Sequence, residues 1–167
     1  MRIGRIFYLL IILLCVIETA RLWVILPGQL AAHFNIQGDP DRFVSKAQFI
    51  WFQLRTMLVV ILVSLPFQAL FLILPPGMVN MPNREYWLAP ERRKETMARL
   101  GDFGFLLFGI ILLAVQIAFE ISAYANLQSS IKFNAPLMGM VMGLSFAVIT
   151  VLLIRLILSF RLPSSLD

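Results

Sequence analysis

Four ionisable residues interrupt stretches that are otherwise almost wholly apolar: Glu18, Arg21, Arg55 and Glu120. A charge at such depth in hydrocarbon is costly, so residues of this kind face a bundle interior, pair with one another or line a path. Glu18 and Arg21 are three apart, which puts them on one face of a helix. At the helical rise, Glu18 lies roughly 13 Å and Arg21 roughly 9 Å from Pro27, Arg55 roughly 12 Å from Ala47, and Glu120 roughly 9 Å from Asn126. All four therefore fall in one layer, where two acids and two bases can neutralise each other. Two uses stay open: a functional polar cavity opening at that surface, or an ion-pair network that fixes how the helices pack.

A second group lies in a loop, where His33 and Asn35 are followed by Asp39 and Asp41. His33 is the only histidine. It could join the two acids around a metal or act as a proton-sensitive switch. A lone His beside two acids has no recognised ligand spacing, so hydrogen bonding within the loop is the preferred use. Neither a metal nor any other cofactor is expected.

Other chemistry finds no support. His-Glu-x-x-His, a P-loop, a dinucleotide fingerprint and a Ser elbow are all missing from the sequence. One histidine cannot hold haem from both sides, and Asp102 has no partner aspartate for intramembrane proteolysis. The single cysteine, Cys15, excludes an internal disulfide and a cysteine-based metal site. No enzyme is expected.

The elements that must carry these residues follow from composition. The chain of 167 residues is 60% apolar and 14% charged, against about 25% charged in soluble domains. Its mean hydropathy is +0.87. Four segments, 5–26, 47–74, 103–125 and 136–160, are long and apolar enough to cross a bilayer as helices, which needs about 20 residues each. The fold class expected is an all-α integral membrane protein, a single domain from 1 to 167 that lives in the lipid bilayer. The basic start and the apolar run to Ile17 resemble a signal peptide, but Glu18-Thr19-Ala20 is a poor cleavage site, and an uncleaved first helix is the reading.

Lys and Arg outside the helices number eight on one side (Arg2, Arg5, Arg84, Arg92, Arg93, Lys94, Arg99, Arg161) and three on the other (Arg42, Lys46, Lys132). The positive-inside rule then puts both termini and loop 75–102 in the cytoplasm and loop 27–46 outside, as a compact cap. The net charge of +5 has the same cause, so no nucleic-acid partner is expected. Within loop 75–102, Ala89-Pro90-Glu91 reads as a helix start. That helix either lies along the membrane surface or continues into the third span. Its Arg92, Arg93 and Lys94 could hold anionic lipid headgroups, although a solvated face that sets topology is the preferred reading. Ala135, Gly139, Gly143 and Ala147 form a small-residue stripe on the fourth span. Internal packing of this stripe is preferred to dimerisation.

The outer loop carries Pro27, His33-Phe34-Asn35, Gly38, Pro40-Asp41 and Ser45-Lys46, a spaced pattern that resembles a bacterial membrane domain of unknown function. That domain forms the N-terminal part of proteins similar to SdpI, an immunity protein against a secreted toxin. The stretch Met81 to Arg93 also resembles a segment of some members, so the likeness covers residues 20–100. It implies a polytopic inner-membrane protein of bacteria with an immunity or signalling role. Joined to the residues above, it suggests a peptide or membrane-protein partner bound at the outer face by His33, Asn35, Asp39, Asp41, Glu18, Arg21, Arg55 and Glu120. An accessory subunit of a larger complex and a small transporter using the buried charges are the alternatives.

The charge count predicts that single cysteines at positions 37 and 130 react with an impermeant thiol reagent in intact cells, and that one at position 94 does not. Labelling at 94 overturns the orientation.

Overall fold

The computed structural model describes residues 3–162; Arg2, one of the eight basic residues counted above, lies outside them. Among the described residues, four helices are long and apolar enough to cross a membrane. In chain order the elements are α1 (Ile3–Ile25), strands β1 (Gln29–Phe34) and β2 (Pro40–Ser45), α2 (Lys46–Ile73), a 3-10 turn (Pro76–Met78), α3 (Arg84–Trp87), α4 (Pro90–Asn126) and α5 (Ala135–Leu158).

Helix α4 is the centre of the bundle, and α1, α2 and α5 all pack against it. The face of α1 that meets α4 is read directly from its burial, Gly4, Tyr8, Ile11, Cys15, Thr19 and Leu22, a run with steps of three and four. Two glycines let the backbones of α1 and α4 approach. A Cβ on Gly4 would strike the Asp102 carbonyl, and one on Gly109 would lie 2.7 Å from the Phe7 ring. The Asp102 carboxylate accepts from the backbone N–H groups of Gly4 and Arg5, both at 3.1 Å, and so satisfies donors that the first turn of α1 leaves unpaired. Around this seam Tyr8, Ile11, Cys15, Met57, Phe108 and Leu112 form the apolar middle.

Two expectations need correction, and a third is decided between its alternatives. The basic segment is not a separate interfacial helix but continues into the third span, α4 running unbroken for 37 residues from Pro90 to Asn126. That is about 55 Å of helix against about 30 Å of hydrocarbon, so its first turns stand outside the apolar layer. Gly101 and Asp102, which look like a boundary, sit inside it; good helix formers on both sides carry the helix through.

The fold is also not all-α, since loop 27–46 is an antiparallel β-hairpin. Its pairing runs Gln29 to Ser45, Leu30 to Val44, Ala31 to Phe43, His33 to Arg42 and Phe34 to Pro40, with irregularities on either side of His33. Those bulges break the alternation from which a strand is read.

Finally, the small-residue stripe is not packed inside the bundle of described residues. No residue of α5 is buried, and a Cβ at Gly139 or Gly143 would meet no atom within 4 Å. Helix α5 touches α4 along a single line, and Ala135, Gly139, Gly143 and Ala147 lie away from it, all exposed.

This difference is measurable. Gly4→Ala should destabilise the protein by about 1–3 kcal/mol, the usual cost of overpacking. Gly139→Ala and Gly143→Ala should leave thermal melting in detergent unchanged, and equal losses at all three sites would contradict the exposed position of the stripe.

Candidate functional site

The charged layer exists, with three of its four expected members. Arg21 donates through Nε to Glu18 and through a terminal nitrogen to Glu120, so one guanidinium joins α1 to α4. Glu120 in turn accepts from Gln116 Nε2 at 2.8 Å. Gln116 Oε1 accepts from Gln53 Nε2 at 3.1 Å, and the same amide nitrogen reaches Thr19 Oγ1 at 3.1 Å. The Thr19 hydroxyl in turn donates to the Cys15 carbonyl at 2.7 Å. The result is one hydrogen-bonded chain from the half-exposed Glu18 to the wholly buried Gln53, crossing α1, α2 and α4. Gln53 Oε1 ends the chain; among the described residues it is the buried side-chain polar atom without a hydrogen-bond partner.

Arg55 does not belong to this chain. It is exposed and makes no ion pair among the described residues. Depth along the helix places it correctly, but azimuth does not. Gln53 points inward, and two residues further on a helix has turned by roughly 200°. The sequence reading missed Gln53, Gln116 and Thr19 because uncharged polar residues do not stand out against an apolar background. The signal was available: Gln116 and Glu120 are four apart and share a face.

Above the charged layer stands the hairpin, fastened at its root and its tip. At the root, the buried Asn126 carboxamide accepts from the Ala31 N–H at 2.6 Å and donates to the Ala31 carbonyl at 2.9 Å, standing in for a strand neighbour. Lys46 closes the other side, donating to the carbonyls of Trp23 (2.9 Å) and Leu26 (3.1 Å) at the end of α1. Ser45 and Gln48 cap α2 reciprocally. At the tip, the turn needs Gly38, whose φ of +84° disfavours side chains. Its carbonyl accepts from the Phe133 N–H at 2.8 Å, and Phe34 stacks on Phe133 with centroids 5.0 Å apart.

The candidate residues of the loop divide into two sets. Asn35 and Asp39 serve the turn. Asn35 Oδ1 accepts from the Asp39 N–H at 2.9 Å, and Asp39 faces Lys132 at 3.6 Å. His33 and Asp41 are bonded to each other, Nδ1 to Oδ1 at 2.5 Å, and remain open to the surroundings. Hydrogen bonding within the loop is thus what His33 does here. The Arg42 side chain makes no hydrogen bond or ion pair among the described residues and edges a hollow of about 820 Å³ between the hairpin, α2, α4 and the start of α5.

At the opposite end, the basic residues are tied to protein. Arg92 donates to the Tyr86 carbonyl at 2.9 Å and stacks on the Tyr86 ring, while Arg93 donates to the Leu74 carbonyl at 3.1 Å. They pin segment 74–87 to α4, and Lys94 alone of the three is left exposed without a bond among the described residues. Trp87 donates to the Phe160 carbonyl at 2.8 Å, closing a small apolar cluster there.

Set against known families, residues 10–53 match a domain of unknown function, DUF1648. The matched segment takes in most of α1, the whole hairpin and α2 down to Gln53, and it leaves out Gln116, Glu120 and Asn126, which complete the site. No curated protein and no solved structure matches the chain.

The charged layer makes a quantitative demand. Glu120→Gln and Arg21→Gln should each lower thermal stability, and a double-mutant cycle between them should show coupling of about 1 kcal/mol or more. Arg55→Gln should be neutral. Additive losses at positions 21 and 120 would mean that the two side chains act separately.

Proposed function

We propose that this is a non-enzymatic, multi-pass protein of the bacterial cytoplasmic membrane that binds a peptide or protein partner on its hairpin. In this reading the hairpin faces outward and both termini face the cytoplasm, as the distribution of Lys and Arg favours. The role is recognition, in the manner of SdpI-like immunity or signalling proteins. The match to a domain of unknown function is compatible with that role and carries no activity of its own.

One observation supports it above the others. The hairpin is held rigidly at both ends, by Asn126 and by Phe133, and yet presents apolar side chains to its surroundings: Ile36 is 95% exposed at the tip and Phe43 is 54% exposed on β2. Beside them stand His33 and Asp41. An apolar anchor next to a polar pair, on a preorganised scaffold, is the composition of a binding hot spot. The chain of hydrogen bonds below sets the spacing of α1, α2 and α4 and hence the seat of the hairpin.

A second reading, an accessory subunit of a larger membrane complex, draws on α5. A span with no buried residue and an open small-residue stripe has the surface that a neighbouring helix packs against.

The two readings part at position 36. A photo-crosslinking residue placed there should give a discrete protein or peptide adduct in cells. His33→Ala or Asp41→Asn should reduce that adduct about tenfold or more while leaving melting intact, as loss of a hot spot does. An adduct confined to positions on α5, with none at 36, would favour the subunit reading.

A further inference from the structure

We infer that the hollow beneath the hairpin is a binding site for one anionic phospholipid, with the phosphate on Arg42 and an acyl chain between α2 and α5. The site is a built one. Its walls carry Phe34, Phe49, Phe52, Phe119, Phe133 and Met138, and its volume is about 820 Å³. Phe49, Phe52 and Phe119 are locked edge to face, with centroids 5.6 and 5.8 Å apart, so the floor is preformed.

The charge at the mouth selects the headgroup. Asp41 is hydrogen-bonded to His33 and Asp39 faces Lys132, so neither carboxylate is bonded to Arg42. Lys46 is engaged by backbone carbonyls. Arg42 is left as a cation without a counter-charge among the described residues, at the edge of an apolar hollow. A guanidinium there matches a phosphate, which it can grip with two parallel hydrogen bonds.

The depth of the floor selects the tail. Phe52 lies roughly 9 Å below the start of α2, and Phe119 roughly 10 Å below the end of α4, both within the hydrocarbon layer. A peptide end reaching that level would carry unsatisfied backbone N–H and C=O groups, each costing several kcal/mol. A hydrocarbon chain carries none. The aromatic walls thus suit an acyl chain, and the Arg42 level suits its head. His33 and Ile36 also line this hollow, so the lipid would lie beside the partner surface proposed for the hairpin, and lipid retention is read separately from a protein adduct at position 36.

Native mass spectrometry of the full chain in mild detergent tests it, with phosphatidylglycerol, phosphatidylethanolamine and diacylglycerol as probes. The wild type should retain one phosphatidylglycerol, about tenfold more tightly than phosphatidylethanolamine, whose ammonium already offsets its phosphate and would stand beside the Arg42 cation. Arg42→Gln should erase that preference. Ala135→Trp, at an exposed position on the rim, should fill the hollow and release all three lipids without lowering the melting temperature, and Met138→Trp provides the same test from the next turn. Equal retention of the first two lipids by the wild type, or full retention by a tryptophan variant that melts normally, overturns the proposal. So does protection of a cysteine at position 135 by an acidic amphipathic peptide with no lipid retained, which would give the hollow to a peptide.

Discussion

The carboxamide of Asn126 holds both backbone groups of Ala31, and the whole hairpin end is arranged around that pair of bonds. Ala31 is fully buried at the foot of β1, in a place where water cannot satisfy its N–H and C=O. A buried amide left unpaired costs about 1–3 kcal/mol, and one side chain removes that cost twice over. An Asn carboxamide offers a donor and an acceptor in one plane, and from the end of α4 it reaches the strand. Leu22, Leu26, Leu30, Phe49, Ile50 and Ala123 then close round the joint and keep it dry.

The same helix sets everything below. Helix α4 supplies Glu120 and Gln116 to the charged layer, Phe108 and Leu112 to the apolar middle, and Asp102 to the first turn of α1. Helices α1 and α2 meet each other only lightly and are related mainly through α4. The chain of bonds from Glu18 to Gln53 runs across all three, so its registration depends on how α1 and α2 each seat against that single rod. Arg21 is the strongest link, since it alone faces two acids.

How much of this could be read in the sequence depends on what kind of information each feature needs. Four spans and the depth of the charges need only length and rise, and both were legible. Depth put Glu18, Arg21 and Glu120 in one layer, and a spacing of three let Glu18 and Arg21 meet; which arginine takes Glu120 was not legible. Arg55 shows where depth fails, because membership of a layer also requires the right side of the helix, and the apolar residues all around α2 conceal which side that is. The hairpin escaped notice because its bulges around His33 remove the period of two. Asn126 escaped because at a helix end an Asn reads as a stop, and nothing local says that its side chain continues a sheet. The stripe on α5 was legible as a stripe, but its packing partner was not, since spacing shows a face without showing what lies opposite.

The dependence of α1 and α2 on α4 has a consequence for biogenesis. The ribosome completes Gln53 long before it reaches Gln116, Glu120 and Asn126. During that interval the first two helices reside in or beside the bilayer with Arg21 lacking one of its two acids, Gln53 lacking its amide partner and Ala31 lacking its anchor. A nascent pair of helices in that condition exposes polar groups that only a later segment can satisfy. A chain that stopped before Gln116 would lack the partners that α4 gives to Arg21, Gln53 and Ala31.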